Sequence, residues 1–127
     1  MPGNPLEAYQ SVEKTTLAGR ELEASVLMRA ALMLADVQNN WGQPGHEERL
    51  DNALRHNQRI WTLFQAEITS PDNPLPAEIR QNLLSLSAFI DKRTFDVMAF
   101  PEPAKLDILI SINKNVAAGL RGNGSAE

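Results

Sequence analysis

Residues 46–68 read HEERLDNALRHNQRIWTLFQAEI, and the spacing of the apolar side chains in this stretch decides the fold. Leu50, Leu54, Asn57, Trp61, Phe64 and Ile68 follow one another at intervals of four, three, four, three and four. Such intervals return to one side of a helix with 3.6 residues per turn, whereas a half-buried strand needs alternation. Glu47 and Glu48 occupy the first turn, where the positive end of the helix dipole favours acids. One residue in the stripe, Asn57, is polar.

Working outward, the segment Ser70-Pro71-Asp72-Asn73-Pro74-Leu75-Pro76 places three prolines among seven residues and ends the helix near Ile68. Pro76 is suited to open the next helix, which runs to about Met98 and stops at Phe100-Pro101-Glu102-Pro103. Its expected packing side carries Ile79, Leu83, Leu86, Phe89, Ile90 and Val97, with Glu78, Arg80, Asp91 and Lys92 in water. A further helix spans about Glu102 to Leu120 and closes at Arg121-Gly122. Its stripe is Leu106, Ile110, Asn113, Ala117 and Leu120, again with one amide in the seam.

On the N-terminal side, Asn40 to Gly45 holds a break before His46. Upstream, a long apolar helix is expected from Leu17 or Ala18 to Asn39, capped by Thr15 or Thr16, preceded by a short helix from Asn4-Pro5 to about Lys14. The expected architecture is therefore all-α: a single-domain bundle of about five helices over residues 1–122, one short and four longer, with a disordered tail at 123–127.

Asn57 and Asn113 each lie on a core stripe, and a buried amide without partners is destabilising by about 1–3 kcal/mol. Either the two face each other in one core layer, or each caps a loop or bonds a neighbouring carbonyl. The long helix has stripes through Leu22, Val26, Ala30, Met33 and Val37 and through Leu27, Ala31 and Leu34, leaving little polar face. Cover by the other helices accounts for this; the functional alternative is an apolar groove to which Leu27, Met28 and Met33 contribute, thioethers adapting to a partner's helix.

Composition bounds the chemistry. The 127 residues carry a formal net charge of -4 and no cysteine. That balance does not favour a nucleic-acid partner, excludes disulfides and thiolate metal sites, and fits a reducing compartment. The start of the chain lacks the basic residues and apolar run of a secretory signal, and the longest apolar stretch, Val26 to Val37, carries Arg29 and Asp36. A bilayer span needs roughly 20 apolar residues, so no membrane segment is expected. His46-Glu47-Glu48-Arg49 lacks the second histidine that a zinc helix places one turn on, and Gly119, Gly122 and Gly124 do not open a helix as a phosphate-binding loop would. No enzyme, cofactor or metal is expected.

The chain resembles the FlaF family of flagellar proteins. The resemblance rests on His56-Asn57-Gln58-Arg59-Ile60-Trp61-Thr62-Leu63-Phe64, on Asn73-Pro74-Leu75-Pro76-Ala77-Glu78-Ile79-Arg80, and on Leu109-Ile110-Ser111-Ile112-Asn113 with Gly119-Leu120. Ile60 and Ile79 stand where the family pattern has leucine, and the N-terminal third matches more loosely through Ala8-Tyr9. The resemblance implies a cytoplasmic, non-enzymatic protein of flagellum biogenesis and motility. It would bind flagellin, as a chaperone or adaptor that promotes its production or export. The alternative is a regulator acting on flagellin mRNA or its translation, directly or through FlbT. Of the motif residues, Asn57, Trp61, Pro76 and Asn113 are expected to build the fold. Arg59 and Arg80, off the core stripes, are candidates for partner contact beside Leu27, Met28 and Met33. The sequence does not set the oligomeric state.

Overall fold

The computed structural model describes the backbone of residues 5–122 and the side chains of residues 20–122. Among the described residues there are four α-helices and no strand. They are α1 (Pro5–Asn39), α2 (His46–Thr69), α3 (Ala77–Ala99) and α4 (Leu106–Leu120), the last preceded by a 3-10 turn at Pro103–Lys105. The expected tail at 123–127 lies outside the described residues.

The all-α expectation holds, but the count of about five is corrected to four. The two helices expected before Asn39 are one continuous helix of 35 residues. Thr15 and Thr16 suit a cap, yet a threonine inside a helix is less favourable than alanine by only about 0.7 kcal/mol at most. No proline falls between Pro5 and Asn39, so nothing in that interval forces a break.

The helices form a ring in which α1 packs against α4 and α2, and α2 against α3, while α3 and α4 touch only sparsely. On α2 every member of the expected stripe, Leu50 to Ile68, is buried. On α1 the buried face is Ala24, Leu27, Ala30, Ala31, Leu34 and Val37, while Val26, Met28 and Met33 are half-buried and Leu22 is exposed.

The packing side of α3 is also corrected. Its buried seam is Leu83, Ser87, Ile90, Thr94 and Val97, and Ile79 and Phe89 are exposed. Two small hydroxyl residues in this seam hid it from a reading based on bulk. Thr94 meets its own polar requirement by donating to the Ile90 carbonyl at 2.7 Å.

The connections are tied by side chains. Gly45, at φ 79°, is the residue before α2, a left-handed conformation that suits glycine. Asn73 donates to the Glu67 carbonyl at 3.1 Å and accepts from the Leu75 amide at 3.0 Å, clamping the proline-rich loop and placing Leu75 against the bundle. At the opposite end, Lys105 donates to the Phe100 carbonyl at 2.7 Å and pairs with Asp96 at 3.1 Å, while Gln38 of α1 donates to the Pro103 carbonyl at 2.9 Å.

Candidate functional site

The core contains a polar relay. Asn113 on α4 donates from Nδ2 to Asn57 Oδ1 at 2.7 Å and accepts at Oδ1 from the Trp61 indole N–H at 2.8 Å. Trp61 is 1% exposed and both asparagines 0%, so the first of the two sequence expectations for the amides is the correct one. The indole can only donate, which turns Asn113 Oδ1 toward it and Nδ2 toward Asn57. Buried hydrogen bonds of this kind hold α2 and α4 in one register across the ring. The second amide hydrogen-bonding group of Asn57, Nδ2, has no partner among the described residues.

Where α3 and α4 diverge, the bundle opens into an apolar cleft of about 330 Å³. Its walls are Leu75, Pro76, Ile79 and Leu83 on one side and Val116, Gly119 and Leu120 on the other, with Arg20 at one end. Ile79 is 45% exposed, an apolar side chain left at the mouth. Gly119 leaves its wall bare: a Cβ there would meet nothing within 4 Å. The clamp made by Asn73 sets the position of Leu75, and the proline following it immediately precedes α3, so the loop sequence builds one wall directly.

A second groove of about 310 Å³ runs between α1 and α2, lined by Leu22, Val26, Leu27, Ile60, Leu63 and Phe64 with Glu23 and Glu67. Between the two lies a smaller hollow bordered by Arg20, Glu23, Phe64, Glu67, Leu75 and Leu120. Arg20, Leu75 and Leu120 also line the cleft, and Glu23, Phe64 and Glu67 also line the groove, so the three depressions are contiguous.

Glu23 of α1 and Glu67 of α2 lie together at the α1/α2 boundary, where both line the groove and the hollow. Burial, together with the proximity and negative charge of the Glu67 carboxyl, raises the Glu23 carboxyl from an ordinary 4.5 to about 7, against the opposing pull of Arg20.

The residues singled out in the sequence fall in several places. Leu27 is 1% exposed and packs in the core as the floor of the α1/α2 groove instead of presenting a surface. Met28 and Met33 are half-buried against the core. Arg59 is exposed on the outer side of α2 beside Arg55, Gln58 and Thr62. Arg80 is half-buried, and its Nε is enclosed without a partner among the described residues. Pro76 lines the cleft. Glu23 and Glu67 were missed, because acids 44 positions apart on two helices give no periodic signal.

Among the described residues no group of three or more His, Asp or Glu side chains could hold a metal ion, and no helix is long and apolar enough to cross a membrane. His46 stands edge-on to Trp41 with ring centroids 4.4 Å apart, as part of the α1–α2 turn.

Fold and surface together define a small all-helical protein with a polar-pinned core and an open apolar track at one end. The family described as "Flagellar protein FlaF" matches residues 5–120, most of the chain. The chain belongs to that family and is a flagellar protein. No curated protein and no solved structure gave a significant match.

Proposed function

We propose that this protein binds flagellin in the cytoplasm and promotes its production or export, acting as a chaperone or adaptor without catalysing a reaction. The observation that carries this reading is the distribution of the residues by which the sequence resembles its family. Asn57, Trp61 and Asn113 form the core relay. Leu75, Pro76, Ile79, Gly119 and Leu120, from two segments far apart in sequence, line one apolar cleft. A core accounts for the first set, and a ligand accounts for the second.

The cleft suits the apolar face of an amphipathic helix, which seats side chains at positions i, i+3, i+4 and i+7 in such a depression. Flagellin's terminal segments are of that kind and lack their filament partners before assembly. Regulation of flagellin mRNA, directly or through FlbT, is the competing role, and the net charge of -4 does not support direct RNA contact.

Co-purification of the full chain with full-length flagellin, and with flagellin lacking either terminal segment, tests the proposal. Retention is expected to depend on one terminal segment and to change little with ionic strength. Gly119→Leu, which fills the cleft from a position with free space around it, is expected to abolish retention while leaving thermal unfolding in place. Absence of retention for every form of flagellin would refute the reading.

A further inference from the structure

The α1/α2 groove has features that the cleft lacks. Leu22 and Leu63, one from each helix, are 67% and 61% exposed on its rims, so apolar surface stands on both sides of a depression floored by Leu27 and Phe64. Where the groove meets the smaller hollow, Glu23 of α1 and Glu67 of α2 line both. Two carboxyl groups that line the same hollow from neighbouring helices are an unfavourable arrangement once both are ionised. Among the described residues neither is in an ion pair: Arg121 of the α4 terminus is engaged by Glu21 at 2.8 Å and Ser25 at 3.2 Å. The charged groups facing Glu23 are thus Glu67 from α2 and Arg20 from α1, while the loop before α3 contributes the neutral Asn73, Pro74 and Leu75 and α4 contributes Leu120.

Resting on the reading given above, we propose that the client's helix extends from the cleft into the α1/α2 groove and carries one Lys or Arg within its apolar face, which docks between Glu23 and Glu67. The occupant follows from complementarity. A purely apolar helix would bury two acids against hydrocarbon, and an acidic one would add a third like charge. An amphipathic helix with a single cation at that turn satisfies both the rims and the acids. Contiguity through Arg20, Leu75 and Leu120 lets the helix seated in the cleft reach the pair.

This docking has a thermodynamic signature. A free carboxyl titrating near 7 that becomes an ion-paired carboxylate in the complex loses its proton on binding. Affinity therefore falls as pH is lowered through neutrality, approaching about tenfold per pH unit below the free value.

Calorimetric titration of the full chain with full-length flagellin between about pH 6 and about pH 8.5, in buffers of different ionisation enthalpy, reads this directly. Wild type is expected to bind more tightly as pH rises and to release a proton near neutrality. Glu23→Gln, close in shape to the protonated acid, is expected to bind with little pH dependence, and Glu67→Gln to bind about tenfold more weakly at high pH. Circular dichroism checks that both variants keep the fold. If wild-type affinity is independent of pH and both variants match it, the cleft alone holds flagellin and the inference falls while the proposed function stands. If wild type binds no flagellin at any pH, the proposed function fails and this inference with it. If Glu23→Gln or Glu67→Gln changes the sedimentation of the protein alone, the groove is occupied by a second copy of this chain and the inference is overturned.

Discussion

Asn113 Nδ2 donates to Asn57 Oδ1 at 2.7 Å, joining α4 to α2 in a part of the bundle where no water-exposed atom of either residue remains. The same Asn113 side chain accepts from Trp61 at 2.8 Å, so its two ends serve two partners on successive turns of α2.

Asn113→Leu therefore strands two buried groups, the indole N–H and the Asn57 carbonyl oxygen. At about 1–3 kcal/mol for each group left unpaired, it should lower stability by roughly 2–6 kcal/mol. Asn57→Leu strands only Asn113 Nδ2 and should lose about 1–2 kcal/mol. The double substitution should lose less than the sum, since each removes a bond the other has already broken. Urea unfolding of the four proteins with unchanged slope measures this cycle, and strict additivity would show that the amides act independently.

Gly119 and Gly122 should respond to alanine in opposite directions. Gly119 is helical with open space around it, so Gly119→Ala should stabilise by about 0.5–1 kcal/mol at most. Gly122 has φ 80°, where a Cβ is strained, and Gly122→Ala should destabilise by about 1–2 kcal/mol. The two thermal midpoints, compared with wild type, check the signs.

Stability should fall as pH rises from about 4.5 to about 7 through the contribution of Glu23. The sign follows from linkage: between these values the folded chain holds the Glu23 proton while the unfolded chain has released it. The penalty of ionising Glu23 is absent below the lower value and complete above the upper one. Glu23→Gln should flatten this component of the profile. Thermal unfolding of wild type and variant across that range makes the comparison.

Lys105 is only 19% exposed along its side chain and holds the α3–α4 turn through the Phe100 carbonyl and Asp96. Lys105→Met keeps most of the stem and removes the charge. A loss of about 1–2 kcal/mol is expected, with hydrogen exchange accelerated first at the turn residues. Exchange unchanged at Phe100 to Leu106 would show that the lysine does not hold the turn.

The helical nature of the chain and most of its breaks were legible in the sequence, because both depend on near neighbours. The α2 stripe from Leu50 to Ile68 and the prolines from Pro71 to Pro76 act through local geometry. The need of Asn57 and Asn113 for partners is legible in the same way, since their stripe positions predict burial. The continuity of α1 is not legible there, because Thr15 and Thr16 favour a cap without requiring one.

The sequence by itself determined an all-helical chain, the register of its apolar faces, and two amides obliged to find hydrogen bonds. Only the tertiary structure decided that those amides meet, that α3 buries Ser87 and Thr94 in preference to Ile79 and Phe89, and that Leu75 and Gly119 share a cleft beside Glu23 and Glu67. The physical reason is one of range. Periodicity and caps act over a turn or two of one helix, whereas a cleft and a carboxyl pair arise from how separate helices cross, which many residues jointly set.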